Sequence, residues 1–125
     1  MPDRPPPRAR RVLVVDDNVL LRASLTEMLV EGGWSVEEAC DGQAALDRLR
    51  VRLPDVVLLD QRMPRMTGEQ LVVALREAEI RVPIVLMSAM VDDLAARLAL
   101  RFSLEKPFGM TQLFDMLTAA IHAGD

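Results

Sequence analysis

Short apolar runs alternate along this chain with longer stretches in which apolar residues recur every three or four positions. A short apolar run bounded by turn residues or charges is typical of a strand that is buried on both faces. The runs predict five strands, over residues 11–15, 34–39, 56–59, 84–87 and 102–106. The helical spacing predicts a helix after each strand, over residues 21–29, 45–49, 71–78, 92–101 and 110–121.

Five strands that alternate with helices predict one parallel sheet with right-handed crossovers and helices on both faces, which is a doubly wound α/β domain. The second strand alternates apolar and polar residues, and this indicates a position near the edge of the sheet. Gly32 and Gly33 are expected to end the first helix. A chain of 125 residues has room for one domain, predicted over 11–122, after a flexible, basic, proline-rich tail over 1–10.

The distribution of charge narrows the functions open to the folded domain. The net charge is −4, and residues 1–11 contribute +3 through four arginines and Asp3, which leaves −7 for the rest. An acidic body argues against a nucleic-acid-binding surface. No apolar run reaches the ~18 residues of a membrane span, and there is no signal-peptide pattern. Cys40 is the only cysteine, so we expect a cytoplasmic protein in which Cys40 packs as a small hydrophobic residue.

Polar residues stand at the carboxyl ends of four of the predicted strands, namely Asp16, Asp17, Asp60, Ser88 and Lys106. The carboxyl ends of parallel strands share one edge of the sheet, where open α/β sheets bind ligands, so we expect these side chains to lie together. Each also has an ordinary explanation when taken alone. The two N-terminal acids could cap a helix, Ser88 could belong to a turn, and Lys106 could be a surface charge.

The combination points to phosphoryl-transfer chemistry. Three carboxylates at one edge repel one another and need a cation, and a site made of oxygen ligands without histidine suits Mg²⁺. A metal and an ammonium group would neutralise the oxygens of a transferring phosphoryl group, and a hydroxyl would donate a hydrogen bond to it. Asp60, which faces them, is the natural nucleophile and would form an aspartyl phosphate.

His122 is interpreted as favouring the C-terminus of the last helix rather than as a ligand.

Four motifs resemble those of response-regulator receiver domains: VLVVDDN, PDVVLLDQRMPRMTG, IVLMSA and EKPF. The resemblance extends roughly over residues 11–121 and implies a flavodoxin-like (βα)₅ fold with strand order 2-1-3-4-5. It implies that Asp60 is the phosphoryl acceptor. The implied Mg²⁺ ligands are Asp16 (through water), Asp17, Asp60 and the backbone carbonyl of Arg62. The residues implied around the phosphoryl group are Ser88 and Lys106, which contact it, and Ala89, which leaves room for it.

The region between Ser88 and Lys106 departs from the family pattern. Lys106 lies 18 positions after Ser88, several fewer than the family usually has. Ser103 stands at the position of the family's aromatic switch residue, and Phe102 falls one position earlier. A helix over 92–101 would have only two large apolar anchors, so the sequence predicts that this fourth helix is shortened or irregular. These differences fall on the family's usual output coupling and not on the phosphorylation chemistry.

The resemblance implies a two-component signalling module rather than an enzyme. Its expected phosphoryl donor is a histidine kinase or a histidine phosphotransfer protein, and it would signal by contact with a downstream protein, without binding nucleic acid or a membrane. The chain is expected to carry no output domain, as a stand-alone regulator or as the receiver portion of a larger regulator or hybrid kinase. One alternative is a phosphorylation-independent interaction module on the same fold. Another is a haloacid-dehalogenase-type phosphohydrolase, but those enzymes need a second Asp where this chain has Arg62.

Overall fold

The computed structural model describes residues 10–63, 66–88 and 99–124. Its strands are β1 (Arg11–Val15), β2 (Ser35–Ala39), β3 (Val56–Asp60), β4 (Ile84–Ser88) and β5 (Phe102–Glu105). The helices within the described residues are α1 (Val19–Glu31), α2 (Gly42–Val51), α3 (Gly68–Glu77) and α4 (Met110–Gly124). The strands form one parallel sheet in the order β2-β1-β3-β4-β5. The predicted doubly wound sheet, its strand order and the edge position of β2 are confirmed.

Alternate residues of the central strands pack against different pairs of helices. In β1, Leu13 and Val15 belong to a buried cluster with residues of α2 and α3, whereas Val12 and Val14 belong to a second cluster with residues of α1 and α4. β3 divides between the two clusters in the same way. Burial of each large side chain contributes about 1.5–3 kcal/mol, so a strand covered on both faces requires an uninterrupted apolar run. The acidic residues stand at the carboxyl ends of these two buried strands.

Helix α1 begins and ends at residues that satisfy its free backbone groups. The side chain of Asn18 accepts a hydrogen bond from the backbone N–H of Leu21 at 3.1 Å, so Asn18 is the N-cap. Neither Asp16 nor Asp17 is the N-cap, so the alternative explanation of these two acids as helix caps is wrong. At the other end Gly33 adopts a φ of 92°, a left-handed conformation that favours glycine. The predicted stop at Gly32 and Gly33 is confirmed.

The segment between β4 and β5 is described only from Ala99 onward, so the prediction of a shortened or irregular fourth helix falls on residues 92–98, outside the described part. The predicted end of that helix at Arg101 is wrong. Ala99 lies in a turn with a φ of 57°, and Leu100 and Arg101 are not helical. A residue in the left-handed region cannot continue a right-handed helix, and the chain enters β5 three residues later, at Phe102.

Cys40 does not pack in the core as expected, because its side chain is exposed. It follows the last residue of β2, an edge strand, and its Sγ lies 3.8 Å from Oδ2 of Asp41. The position belongs to the loop that leads into α2, where Asp41 is the N-cap.

Among the described helices, none has both the length and the apolar character that crossing a membrane demands.

Candidate functional site

Three carboxylates meet at the carboxyl edge of the sheet, as the sequence predicts. Asp16 and Asp17 directly follow β1, and Asp60 is the last residue of β3. The two strands are paired in parallel with Val15 opposite Leu59, so the next residues, Asp16 and Asp60, are also neighbours. One carboxylate oxygen from each of the three acids lies within 4.8 Å of the others. Asp17 is exposed, whereas Asp16 and Asp60 are buried.

Asp16 is the most enclosed of the three acids, with 1% of its surface exposed. Its Oδ1 accepts a hydrogen bond from the backbone N–H of Asn18 at 2.9 Å. Its Oδ2 is buried and has no hydrogen-bond partner among the described residues. Burial raises the pKa of this carboxyl above its usual value, and the neighbouring charges of Asp60 and Asp17 add to the rise. The Asn18 hydrogen bond and the charge of Lys106 oppose the rise in pKa without cancelling it. An added cation would relieve this unfavourable charge.

Lys106 brings a positive charge to the same edge from the other side. It directly follows β5, and its backbone N–H donates to the carbonyl of Ser88 at 2.6 Å, which fixes the start of the side chain. Its Nζ donates to Oδ1 of Asp60 at 3.0 Å and lies 3.9 Å from Oδ2 of Asp16. One ammonium group thus bridges two of the three acids.

The remaining predicted site residues are Ser88, Arg62 and Ala89. Ser88 is the last residue of β4 and is largely buried. Because Met87 is opposite Asp60, Ser88 reaches one residue farther along the same edge. Arg62 is exposed in the loop after β3, and a role for its backbone carbonyl stays a prediction. Ala89 lies outside the described residues.

Two residues outside the predicted set hold the backbone of the site. The side chain of Arg22 donates to the backbone carbonyl of Asp16 at 2.7 Å. The backbone N–H of Gly68, the first residue of α3, donates to the carbonyl of Gln61 at 3.2 Å. A Cβ at Gly68 would lie 2.7 Å from the carbonyl oxygen of Asp60, which is closer than side chains tolerate. Gly68 is the last residue of the PDVVLLDQRMPRMTG motif, but the motif does not reveal the close approach to Asp60.

Gly68→Ala is expected to destabilise the protein by about 1–3 kcal/mol, because the added methyl group overlaps backbone rather than a movable side chain. Intrinsic helix propensity alone would favour alanine by up to about 1 kcal/mol. The matched control is Gly109→Ala, since a Cβ at Gly109 has no neighbour within 4 Å. Gly109 precedes α4, so this control costs at most about 1 kcal/mol of capping. Urea denaturation that ranks the control as the more damaging change would contradict the close approach.

Comparison with known proteins agrees with the fold. Residues 12–118 match the family described as the response regulator receiver domain. The response regulator MprA of Mycolicibacterium vanbaalenii is 37% identical over 116 residues, which cover 89% of this chain and 50% of MprA. The chain therefore spans about half the length of this curated relative.

Solved structures show the same architecture. The chemotaxis response regulator CheY4 of Vibrio cholerae superimposes with a TM-score of 0.82 at 28% identity, over 90% of this chain and 99% of that one. The receiver domain of the sensor histidine kinase PA1611 from Pseudomonas aeruginosa gives 0.84 at 26% identity, over 92% and 99%, and that structure has a magnesium ion coordinated in its active site cleft. With a family match over most of its length and the acidic edge in place, this chain belongs to the response regulator receiver domain family.

Proposed function

We propose that this chain accepts a phosphoryl group on Asp60, in a Mg²⁺-dependent reaction, from a histidine kinase or a histidine phosphotransfer protein. The phosphorylated domain, over residues 11–122, then signals by contact with a downstream protein. The observation that carries this proposal is the environment of Asp60. Its carboxylate lies beside those of two further acids and accepts a hydrogen bond from Nζ of Lys106 at 3.0 Å.

The acidic cluster fits a hard divalent cation. The three acids offer oxygen ligands within 4.8 Å of one another, and Oδ2 of Asp16 is buried without a hydrogen-bond partner in the described part of the chain. Oxygen ligands without histidine or cysteine suit Mg²⁺. The residues proposed to hold it are Asp16 (through water), Asp17, Asp60 and the backbone carbonyl of Arg62. Bound Mg²⁺ would supply positive charge against the oxygens of the transferring phosphoryl group.

The protein residues divide the remaining work of the transfer. An oxygen of Asp60 attacks phosphorus, so a P–O bond forms while the P–N bond to the donor histidine breaks and the imidazole leaves with its electron pair. Lys106 already holds Oδ1 of Asp60 and is proposed to move onto a phosphoryl oxygen as that negative charge arrives. The Ser88 hydroxyl, at the same edge of the sheet, is proposed to donate a hydrogen bond to another phosphoryl oxygen.

The proposal assigns a signalling role rather than turnover of a substrate. Receiver domains are signalling modules and not classical enzymes, and Arg62 occupies the position at which a haloacid-dehalogenase-type enzyme needs its second Asp. The acidic charge of the body is unsuited to binding nucleic acid through this domain. Because histidine kinases obtain their phosphate from ATP, the proposed location is the cytoplasm.

Mg²⁺ is expected to raise the melting temperature. Binding to the native state alone stabilises it by about 1.4 kcal/mol at ten times the dissociation constant. Asp16→Asn is expected to raise stability without metal, since it removes a buried charge, and to weaken the response to Mg²⁺. Because the pKa of Asp16 is raised in the folded protein, protonation of this carboxyl favours the folded state without metal. This stabilisation is complete below pH 3.8, the usual pKa of the group, and is lost as the pH rises through the raised pKa. Thermal unfolding with and without millimolar Mg²⁺ measures both effects, and identical curves would contradict the metal site.

The decisive experiment is incubation of the protein with acetyl phosphate and Mg²⁺, followed by intact-mass measurement. The expected result is the addition of one phosphoryl group, and no addition when the metal is chelated. A protein that binds Mg²⁺ but stays unmodified by acetyl phosphate and by purified histidine kinases would instead support the phosphorylation-independent interaction module.

A further inference from the structure

The guanidinium group of Arg22 spans the loop that carries the two N-terminal acids of the site. Arg22 lies in the first turn of α1, and its Nη1 donates to the backbone carbonyl of Asp16 at 2.7 Å. Its Nε donates to Oε1 of Glu38, in β2, at 2.8 Å. Only 15% of the Arg22 side chain is exposed, whereas the Glu38 side chain is 40% exposed. The planar guanidinium group of Arg22, in α1, thus connects α1 to the end of β1 and to the edge strand β2.

These contacts complete the restraint of Asp16. Its backbone N–H donates to the carbonyl of Ala39 at 3.2 Å, its carbonyl accepts from Arg22, and its Oδ1 accepts from the N–H of Asn18. Oδ2 alone has no hydrogen bond in the part of the chain that is described, and it lies on the side of the cluster, 3.9 Å from Nζ of Lys106. The peptide unit and one carboxylate oxygen are fixed, and the other oxygen is left for the site.

An arginine at this position is otherwise unfavourable. The first turn of a helix carries the positive end of the helix dipole, which disfavours a cation. A mostly buried guanidinium group also needs partners to offset its lost hydration. Glu38 supplies one partner, but the second is the peptide carbonyl of a site residue. Neither packing nor helix formation explains an arginine here as well as the fixing of the Asp16 backbone does.

We infer that Arg22 is a positioning residue for the acidic cluster: it holds the Asp16–Asp17 loop in the geometry that binds the cation. The inference rests on the proposed function, because it assigns a purpose to the loop that only the Mg²⁺ site requires. Arg22 touches neither the cation nor the phosphoryl group in this role. It acts through the backbone of Asp16, as residues behind metal ligands do when they orient them.

The sign of the change in Mg²⁺ affinity tests the inference. Arg22→Gln removes one positive charge near a cation site, so electrostatics alone predicts tighter Mg²⁺ binding. Loss of positioning predicts the opposite, a dissociation constant raised about tenfold, since residues behind metal ligands typically contribute 10–100-fold to affinity. Arg22→Lys keeps the positive charge but loses the planar guanidinium group that makes two hydrogen bonds at once. We therefore expect it to weaken Mg²⁺ binding as well, by about threefold or more.

The control is Arg48→Gln. Arg48 also pairs with a β2 glutamate, with Nη1 3.2 Å from Oε2 of Glu37, but this pair lies away from the acid loop. The charge change is the same, and we expect the dissociation constant of Arg48→Gln to stay within twofold of the native value. Isothermal titration with MgCl₂ gives the constants, and metal-free thermal unfolding shows that each variant is folded.

Each result has a clear meaning. Weaker binding in both Arg22 variants, with the control unchanged, supports positioning. Tighter or unchanged binding in Arg22→Gln overturns it, and so does normal binding in Arg22→Lys should the glutamine variant not fold. If the native protein itself bound no Mg²⁺, the proposed function would fail. Native Mg²⁺ binding and phosphorylation together with indifference to Arg22 would overturn only this inference.

Discussion

Asp60→Asn is expected to lose phosphorylation by acetyl phosphate altogether, to below the detection limit of intact-mass measurement. The substitution keeps the shape of the side chain and an oxygen that can accept the hydrogen bond from Nζ of Lys106, which is 3.0 Å away in the native protein. It removes the anionic oxygen that would attack phosphorus, and a neutral amide oxygen is a poor nucleophile. The change therefore separates the chemistry of Asp60 from its packing.

The matched control is Asp115→Asn, the same chemical change on the exposed face of α4. This variant should accept phosphate at the native rate. The modified native protein should also lose its phosphate under conditions that hydrolyse acyl phosphates and leave phosphoserine intact. Asp60→Asn that still gained a phosphoryl group, or a stable phosphate found on Ser88, would show that Asp60 is not the acceptor.

The sheet could be predicted because its strands are covered on both sides. A run such as Val56–Leu59 has to be apolar at every position, since alternate residues face different helices, and the sequence shows that run directly. The meeting of Asp16, Asp60 and Lys106 follows from the same rule, because residues at the ends of parallel strands share one edge. What the sequence specifies here is the position of side chains at the ends of predicted elements.

The contacts that could not be predicted involve backbone atoms. Arg22 donates to the peptide carbonyl of Asp16, and Gly68 leaves space for the peptide carbonyl of Asp60. Every residue has a carbonyl oxygen, so the sequence does not indicate which of them makes such a contact. Helix ends show a related difficulty. Glu79, just after α3, adopts a positive φ of 58° at a position where the sequence pattern predicts glycine. Cys40 was misread because its small apolar side chain lies in a loop.

We propose two tasks for Lys106, which a substitution can separate. In the absence of metal its ammonium group is the cation of the cluster, 3.0 Å from Oδ1 of Asp60 and 3.9 Å from Oδ2 of Asp16. During transfer it is proposed to neutralise an oxygen of the phosphoryl group. The first task concerns stability and cation affinity, and the second concerns the rate of phosphorylation.

Lys106→Met is expected to act on these quantities in opposite directions. Without metal it should destabilise the protein by about 1–2 kcal/mol, a value between those of exposed and fully buried ion pairs, since the side chain of Lys106 is 24% exposed. Mg²⁺ should bind more tightly than to the native protein and should give a larger rise in melting temperature, because it no longer competes with a resident ammonium group. Phosphorylation by acetyl phosphate at saturating Mg²⁺ should nevertheless fall by about 10²–10³-fold, as when one stabilising donor is removed from an active site.

Lys106→Arg distinguishes charge from geometry in this prediction. It keeps the positive charge, so metal-free stability and Mg²⁺ affinity should remain nearer to the native values than in Lys106→Met. The planar guanidinium group cannot replace a compact ammonium group between two carboxylates and a phosphoryl oxygen, so we expect the rate to fall about tenfold or more. Thermal unfolding, MgCl₂ titration and the time course of intact mass measure the three quantities on each variant. A native phosphorylation rate in Lys106→Met would remove Lys106 from the transfer, and weaker Mg²⁺ binding in that variant would show that the ammonium group organises the acids rather than opposing the cation.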